Sequence, residues 1–556
     1  MGLRNRPLIL TAFAASFGLV VAAVVAVGHY RAEHSAIVVQ SGQAGYLAPA
    51  ALDRQWVTYS DDSTCADRAG GDGVSAVRLS STQIAWFFSD SSLGPASPST
   101  GFSRESGFVH NLLVLQTVRG TSSTLVTVTG GNACTGRNRR SHARSVVSPG
   151  IAGGPENQRY WTSDGLRLGS QVLHFYTRYL PGVLVPVATV IASFPVAALA
   201  RDGTGPAYGE VARPSITRLP SYVPPGGGTP VVWGAALLRQ GGTEYVYGWQ
   251  NPGGGPASIR AYLARVQVSR LTRFSAWRFY AGGSTWAAAQ ASAQPLPAAA
   301  PVSPVIDTGF SVVAAAGRYW LVEQAGGLGG ATIVAYPARA PWGPFLTTGA
   351  VLLYRDPAIG LKPADHYQVM YEARAEPSLS SQDALLISYN VNSLAVTAGC
   401  LPLSAYTNAV VQPRFVSVPM TDFSARRGTS SPLPASAGPP LPSPFPASGH
   451  QPQWFDSWTY RGGCPPLSPV AGLTAVRAGA TIQVHWHALG PGVRYEVYLR
   501  PLGGAYARPH TTSRDSITLS GLTGGTRYQV RVVPENIHHH PGPGTTITVS
   551  ALQGLE

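Results

Sequence analysis

Short runs that alternate apolar with polar residues recur from residue 75 to residue 418, separated by Gly, Pro, Ser, Thr and Asn. They fall into five clusters. The first holds Ser75–Leu79, Ile84–Ser89, His110–Gln116 and Thr124–Thr129. The others run from Gln158 to Ser193, Val231 to Tyr280, Phe310 to Tyr354 and Tyr367 to Val418. Five clusters of three or four strands predict an all-β chain whose main region is a five-bladed β-propeller, with blades radiating around a channel. A β-sandwich or an array of two barrels is the competing reading. A further block of alternating strands occupies residues 465–552.

In the first cluster GGDGVSAVRLSSTQIAWFFSDSS reads as one β-hairpin. Val74, Ala76, Arg78 and Leu79 lead into a Ser80–Ser81–Thr82 turn, and Ile84, Trp86, Phe87 and Phe88 return. Residues equidistant from a hairpin turn sit opposite each other. Asp72 and Asp90 are equidistant from Ser81, so their carboxylates are expected at one edge of one sheet. Carboxyl groups roughly 5 to 10 Å apart can perform glycosidic acid/base chemistry. The same residue types also serve as turn residues at strand ends, as in Asp72–Gly73.

At 556 residues the chain is too long for one core and implies two or more domains. With 12% charged residues, 63 Gly and 47 Pro, it suits many short strands and loops. Lys362 is the only lysine, which reads as a coding bias toward arginine. The net charge of +14 is scattered apart from Arg137, Arg139, Arg140 and Arg144, read as a solvated loop. No recognition-helix pattern or aromatic-interleaved basic stripe occurs, so nucleic acid is not an expected partner.

Residues 8–28, LILTAFAASFGLVVAAVVAVG, follow Arg4 and Arg6 and have the form of an export segment. Residues 1–30 are thus read as a signal peptide or an N-terminal membrane anchor, with residues 51–424 as the catalytic propeller. Either leaves the chain secreted or on the cell surface. Cys65, Cys134, Cys400 and Cys464 are even in number and lack CxxC spacing, so disulfides are expected. Three pairings are possible, of which Cys65–Cys134 and Cys400–Cys464 are favoured. Residues 425–464 form a linker, rich in Pro and Ser to residue 453.

Residues 465–552 resemble a fibronectin type III module, on the pattern GLTAVRAGATIQVHWHALGPGVRYEVYLRPLG followed by SITLSGLTGGTRYQVRVVPEN. Trp486, Leu522 and Tyr528 match its strand tryptophan, leucine and corner tyrosine, whose hydroxyl bonds back to the chain. His538, His539 and His540 read as an exposed loop, and no metal site is expected.

Serine-hydrolase chemistry finds no GxSxG elbow, and no HExxH or zinc-finger spacing occurs. Asp61, Asp62, Asp67 and Asp72 lack the fixed spacing of a calcium loop, so the expectation is no cofactor, with calcium as the minor alternative. The paired aspartates remain the leading constellation.

GDGVSAVRLSSTQIAWFFSDSSLG followed by FVHNLLVLQ resembles the opening of a propeller family first catalogued as a domain of unknown function. YWTSDGLRLGSQVLHFY, VVWGAALLRQGGTEYVYG, APWGPF and YEARAEPSLSSQDALLISYNVN extend the likeness over most of residues 55–420. Members include endo-D-arabinanases, and the resemblance implies an arabinan-type, furanose cell-wall polysaccharide as substrate and partner. It places the two essential aspartates, on G-x-D-G and F-G-D-T motifs, at Asp72 and Asp90. Ser89 and Ser91 replace the usual Gly and Thr, and Glu376 stands where relatives more often carry His. Asp90 is expected to be the ionised group and Asp72 the acid. Trp86, Phe87 and Phe88 would wall the site or simply fill the core.

Secondary candidates for substrate contact each have a structural alternative. Asn111 could bond a sugar hydroxyl or hold a strand edge. Trp161 could stack on a sugar, with Asp164 beside it as substrate contact or turn residue. Glu372 and Arg374, on one face by alternation, could bind substrate or pair with each other. Asn390 could line the channel mouth or cap its strand. The expectation is an exported glycoside hydrolase on arabinan or another glycan. The alternative is a non-catalytic surface propeller that binds glycan or protein.

Overall fold

The computed structural model describes residues 48–63, 67–94, 96–97, 101–102, 107–119, 122–131, 143–155, 157–180, 185–199, 214–252, 259–297, 308–325, 331–347, 349–356, 359, 368–393, 411–423, 467, 469–489, 493–535 and 544–550. The export segment, the linker, all four cysteines and His538–His540 lie outside them. No helix of the described residues is long and apolar enough to cross a membrane.

The chain is all-β, built from antiparallel sheets with few helices. Five sheets follow one another in sequence. The first is Ser75–Arg78, Gln83–Phe88, Leu112–Arg119 and Ser122–Val128. The second is Arg159–Leu168, Gln171–Tyr179, Pro186–Pro195 and Ser215–Arg218. The third has five strands, Val232–Gln240, Thr243–Gln250, Arg260–Gln267, Arg278–Tyr280 and Trp286–Ala287. The fourth is Phe310–Ala315, Arg318–Ala325, Thr332–Ala338 and Val351–Arg355, and the fifth is Gln368–Ala375, Ala384–Ser393 and Pro413–Pro419. Among the described residues no sheet closes on itself. Ser215–Arg218 and Trp286–Ala287 had no sequence signal of their own; each joins an edge by pairing with a strand that does.

Because side chains alternate across a strand, each sheet presents a different set to each neighbour. Gln83–Phe88 illustrates this. Ala85 and Phe87 pack toward the second sheet with Tyr160, Tyr176 and Phe194. Ile84, Trp86 and Phe88 turn the other way, onto Leu386 and Phe415 of the fifth sheet and onto Trp56. Further apolar clusters join the second sheet to the third, the third to the fourth, and the fourth to the fifth.

Polar bonds span the same junctions. Ser75 Oγ and His174 Nε2 lie 2.8 Å apart between the first and second sheets, and Leu237 N–H donates to Asp164 Oδ2 (2.8 Å) between the second and third. Ala375 N–H donates to Ser311 Oγ (3.0 Å) between the fourth and fifth. Ala76 N–H donates to Glu376 Oε2 (2.9 Å) between the fifth and first.

An α-helix, Pro49–Asp61, precedes the sheets where sequence reading expected only a spacer and then strands. Leu52, Trp56 and Ser60, spaced by four, form its buried stripe, and Pro49 suits the first helical turn. Asp53 Oδ1 fixes it to the fifth sheet by accepting Phe415 N–H (3.0 Å). The C-terminal block holds two further sheets, of three and four strands, over Thr474–Val549. Its core of Ile482, Val484, Trp486, Tyr495, Val497, Val530 and Val532 is continuous with Ala69, Val369, Tyr371 and Val411. Tyr528 Oη accepts Thr523 N–H (2.9 Å), tying the chain back on itself.

Candidate active site

The hairpin pairs Ser75 with Phe87, Ala76 with Trp86, Val77 with Ala85 and Arg78 with Ile84, all symmetric about Ser81. The symmetry continues outward. Asp72 N–H donates to Asp90 O (3.0 Å), and Ser89 N–H donates to Asp72 O (2.7 Å). The two aspartates are cross-strand neighbours where the first sheet passes into a flanking sheet of Arg68–Gly71, Ser91–Leu93 and Phe108–Val109. Gly73 (φ +69°) permits the close approach, since a Cβ there would meet the Ser89 side chain.

Asp90 is buried at 4% exposure, and two nitrogens meet at one of its oxygens. His110 Nδ1 lies 2.7 Å from Oδ1, and Trp161 Nε1–H donates to the same atom at 2.8 Å. Trp161 is flanked by the Arg159 guanidinium 4.8 Å from its ring centroid and by the Tyr179 ring at 4.5 Å, rather than standing alone as a stacking platform. Arg159 lies within electrostatic reach of both aspartates, and its burial lowers its pKa.

Asp72 is half-buried and sits in a different field. Tyr371 Oη–H donates to Oδ2 (3.2 Å) and itself accepts from Asn392 Nδ2 (3.3 Å). Burial pushes the Asp72 carboxyl well above its ordinary range, and the negative charges of Asp90 and Glu372 push it further. The Tyr371 bond and the Arg68 charge oppose that rise and are weaker. Arg68 is itself buried, donating to Gln412 Oε1 (2.8 Å) and Gly71 O (2.9 Å), and desolvation lowers its pKa to about 9.

Glu372 reaches this site by an irregularity. Tyr371 pairs with Asn390 and Arg374 with Ser388, so one extra residue is inserted and Glu372 takes φ +50°. The expected simple alternation of Glu372 and Arg374 therefore fails. Glu372 accepts from Asn390 Nδ2 (3.4 Å) beside Asp72, while Arg374 is buried and donates from Nη1 to Ala235 O (2.9 Å) in the third sheet. Asn390, 1% exposed, holds Glu372 rather than forming an open mouth.

Two of the candidate substrate contacts make bonds within the fold. Asn111 is fully buried; its Nδ2 donates to Val147 O (2.7 Å) and Tyr160 O (2.8 Å), and its Oδ1 accepts Val147 N–H (2.8 Å). Asp164 is no hairpin turn but part of a bulge inside Arg159–Leu168, accepting Gly165 N–H (2.7 Å) and Leu237 N–H. Burial raises its pKa to about 6 against the pull of Arg374. His110, Arg159, Tyr371 and Arg68 were missed by sequence reading. Their signals were adjacency to candidates: His110 precedes Asn111, Arg159 alternates with Trp161, and Tyr371 precedes Glu372.

Asp61 and Asp62 end the helix, Asp67 accepts from Tyr59 Oη (3.0 Å), and Asp72 turns to Asp90, so the acidic loop does not converge. Among the described residues no three His, Cys, Asp or Glu side chains are grouped to hold a metal ion.

Residues 54–423 match the family model described as "Domain of unknown function (DUF5005)". A crystal structure from Bacteroides ovatus, named provisionally as a hydrolase, has the same fold at 17% identity, covering 67% of this chain and 90% of its own with a TM-score of 0.51. Domains d3–d4 of rat CD45 are 23% identical over 15% of this chain and 48% of theirs, with a TM-score of 0.14. The FN5 domain of Drosophila Lar is 20% identical over 16% of this chain and 98% of its own, at 0.15. No curated protein matches the chain.

Proposed function

We propose an activity for this chain, which belongs to the DUF5005 family: an exported glycoside hydrolase that cuts an arabinan-type furanose polysaccharide of the cell wall. The observation that carries the reading is the opposed setting of two cross-strand carboxyl groups within electrostatic reach of each other. Asp90 receives two nitrogen contacts on one oxygen, whereas Asp72 is driven toward its protonated form by burial and like charge. Glycoside hydrolysis needs such a division of labour. Asp72 would protonate the departing glycosidic oxygen. Asp90, ionised, would attack the anomeric carbon or take a proton from the attacking water. Arg159 and Tyr371 would orient the pair.

The consecutive packing of five sheets, including the fifth on the first, supports a five-bladed propeller. The seven C-terminal strands in two sheets, with the Tyr528 loop closure, support a fibronectin type III module. The basic, apolar run at residues 4–28 supports export.

The test is incubation of the purified protein with cell-wall arabinogalactan. Oligosaccharides should be released, and Asp72→Asn and Asp90→Asn should each cut the rate by about 10²- to 10⁴-fold. Binding without release by the parent protein would favour a glycan-binding propeller instead.

A further inference from the structure

We propose that His110 is a positioning residue for Asp90, the group that keeps this carboxylate ionised and aimed while Asp72 holds its proton. The inference deepens the hydrolase reading and rests on it. The argument begins with hydrogens. An indole Nε1 can only donate, so Asp90 Oδ1, 2.8 Å from Trp161, is an acceptor there. His110 Nδ1 approaches that same oxygen at 2.7 Å, and an ionised carboxylate oxygen can only accept. With Asp90 in the ionised role of the hydrolase reading, Nδ1 is the donor, and Nε2 carries whatever else the ring does.

Two donors on one oxygen fix the carboxylate in direction as well as in charge. That decides the pair. Two cross-strand carboxyls in mutual electrostatic reach resist double ionisation, and the proton goes to the partner with weaker support for its anion. Asp72 has a single hydroxyl donor at 3.2 Å, against two nitrogens below 3 Å on Asp90. Other charged groups that act on the pair include Arg159, on Asp90 and Asp72, and Glu372 and Arg68, on Asp72.

His110 is held for this task. Its backbone N–H donates to Ser145 Oγ (2.9 Å), and its ring meets Phe108 edge-on at 5.3 Å. It directly follows the short strand Phe108–Val109, and Val109 pairs with Ser91, the residue after Asp90. The His110 side chain is 33% exposed where Asp90 is 4%, so the imidazole links a buried carboxylate to a ring that reaches solvent.

Three variants separate the ring nitrogens. The amide nitrogen of His110→Asn falls near the place of Nδ1, that of His110→Gln near the place of Nε2, and His110→Ala has neither. The first readout is the titration midpoint of the Asp90 carboxyl in protein labelled with ¹³C at Asp Cγ, its resonance identified by loss in Asp90→Asn. The second is the pH profile of kcat on arabinogalactan. His110→Ala should move the Asp90 midpoint and the acid limb to higher pH and lower kcat about tenfold or more, with KM little changed. His110→Asn should restore both, and His110→Gln should not. An Asp90 midpoint unmoved in His110→Ala, or restored as well by Gln as by Asn, overturns the proposal. If His110→Ala does not fold, the Asn and Gln variants still decide it. If the parent protein cuts no arabinan, the hydrolase reading fails, yet the carboxyl titration still tells whether His110 governs Asp90.

Discussion

At the scale of single residues, the candidate site is a problem in distributing one proton between two acids. The groups around Asp72 pull in opposite directions, which makes their removal informative. Glu372 raises the Asp72 pKa through its charge, so Glu372→Gln should lower it and move the alkaline limb of the kcat profile to lower pH. The Tyr371 hydroxyl favours the ionised form, so Tyr371→Phe should raise the pKa and move the same limb to higher pH. Both profiles can be read on the same substrate. Limbs moving together, or not at all, would show that Asp72 does not set the alkaline side.

At the scale of elements, the strands place these residues and a few buried polar side chains keep the strands in place. Asn111 is the clearest case. Its amide bonds Val147 and Tyr160 and so joins the first sheet to the second. Asn111→Ala should destabilise the fold by about 2–3 kcal/mol in chemical denaturation, because buried backbone groups lose their partners. KM should not change in molecules that remain folded. A changed KM with unchanged stability would return Asn111 to substrate contact.

How much of this was legible follows from the physics of pattern. Period-two alternation exposed most strands of the five sheets, and hairpin symmetry about Ser81 located Asp72 opposite Asp90, because both depend on local spacing alone. The bulges at Glu372 and Asp164 have no local spacing signature. They arise where a strand fits its neighbours across sheets, and they re-aim Glu372, Arg374 and Asp164. The partners of Asp90 were hidden for a related reason: His110 and Trp161 come from different sheets, and only packing brings their nitrogens to one oxygen. The helix Pro49–Asp61 went unread, because its buried stripe of Leu52, Trp56 and Ser60 holds only two apolar residues.

At the scale of the whole molecule, the junctions between elements are stapled by buried acids, and this ties stability to pH. Burial raises Asp164 to about 6, Asp53 and Glu244 to about 7, and Glu376 to about 8. Three of them sit at joints: Glu376 between the fifth and first sheets, Asp164 between the second and third, and Asp53 between the helix and the fifth sheet. Each folded pKa exceeds the unfolded one, so between roughly pH 4 and pH 8 the folded chain binds more protons than the unfolded chain. Stability from these groups is fully present below their unfolded pKa values and is lost as pH rises through the folded ones. His174, buried and lowered to about 3, acts in reverse and costs stability as pH falls below about 6.5. The net charge of +14 also grows in acid, adding self-repulsion there. The balance places maximal stability on the mildly acidic side. Scanning calorimetry should find Tm falling between pH 5.5 and pH 8.5. Glu376→Gln, which keeps a carbonyl acceptor for Ala76 and removes the charge, should flatten that fall, so the variant compares better with the parent at pH 8.5 than at pH 5.5. A Tm that rises with pH over this window, or a variant with the parent's slope, would mean that these acids are ionised in the folded protein and that the sheets are joined by charge rather than by neutral hydrogen bonds.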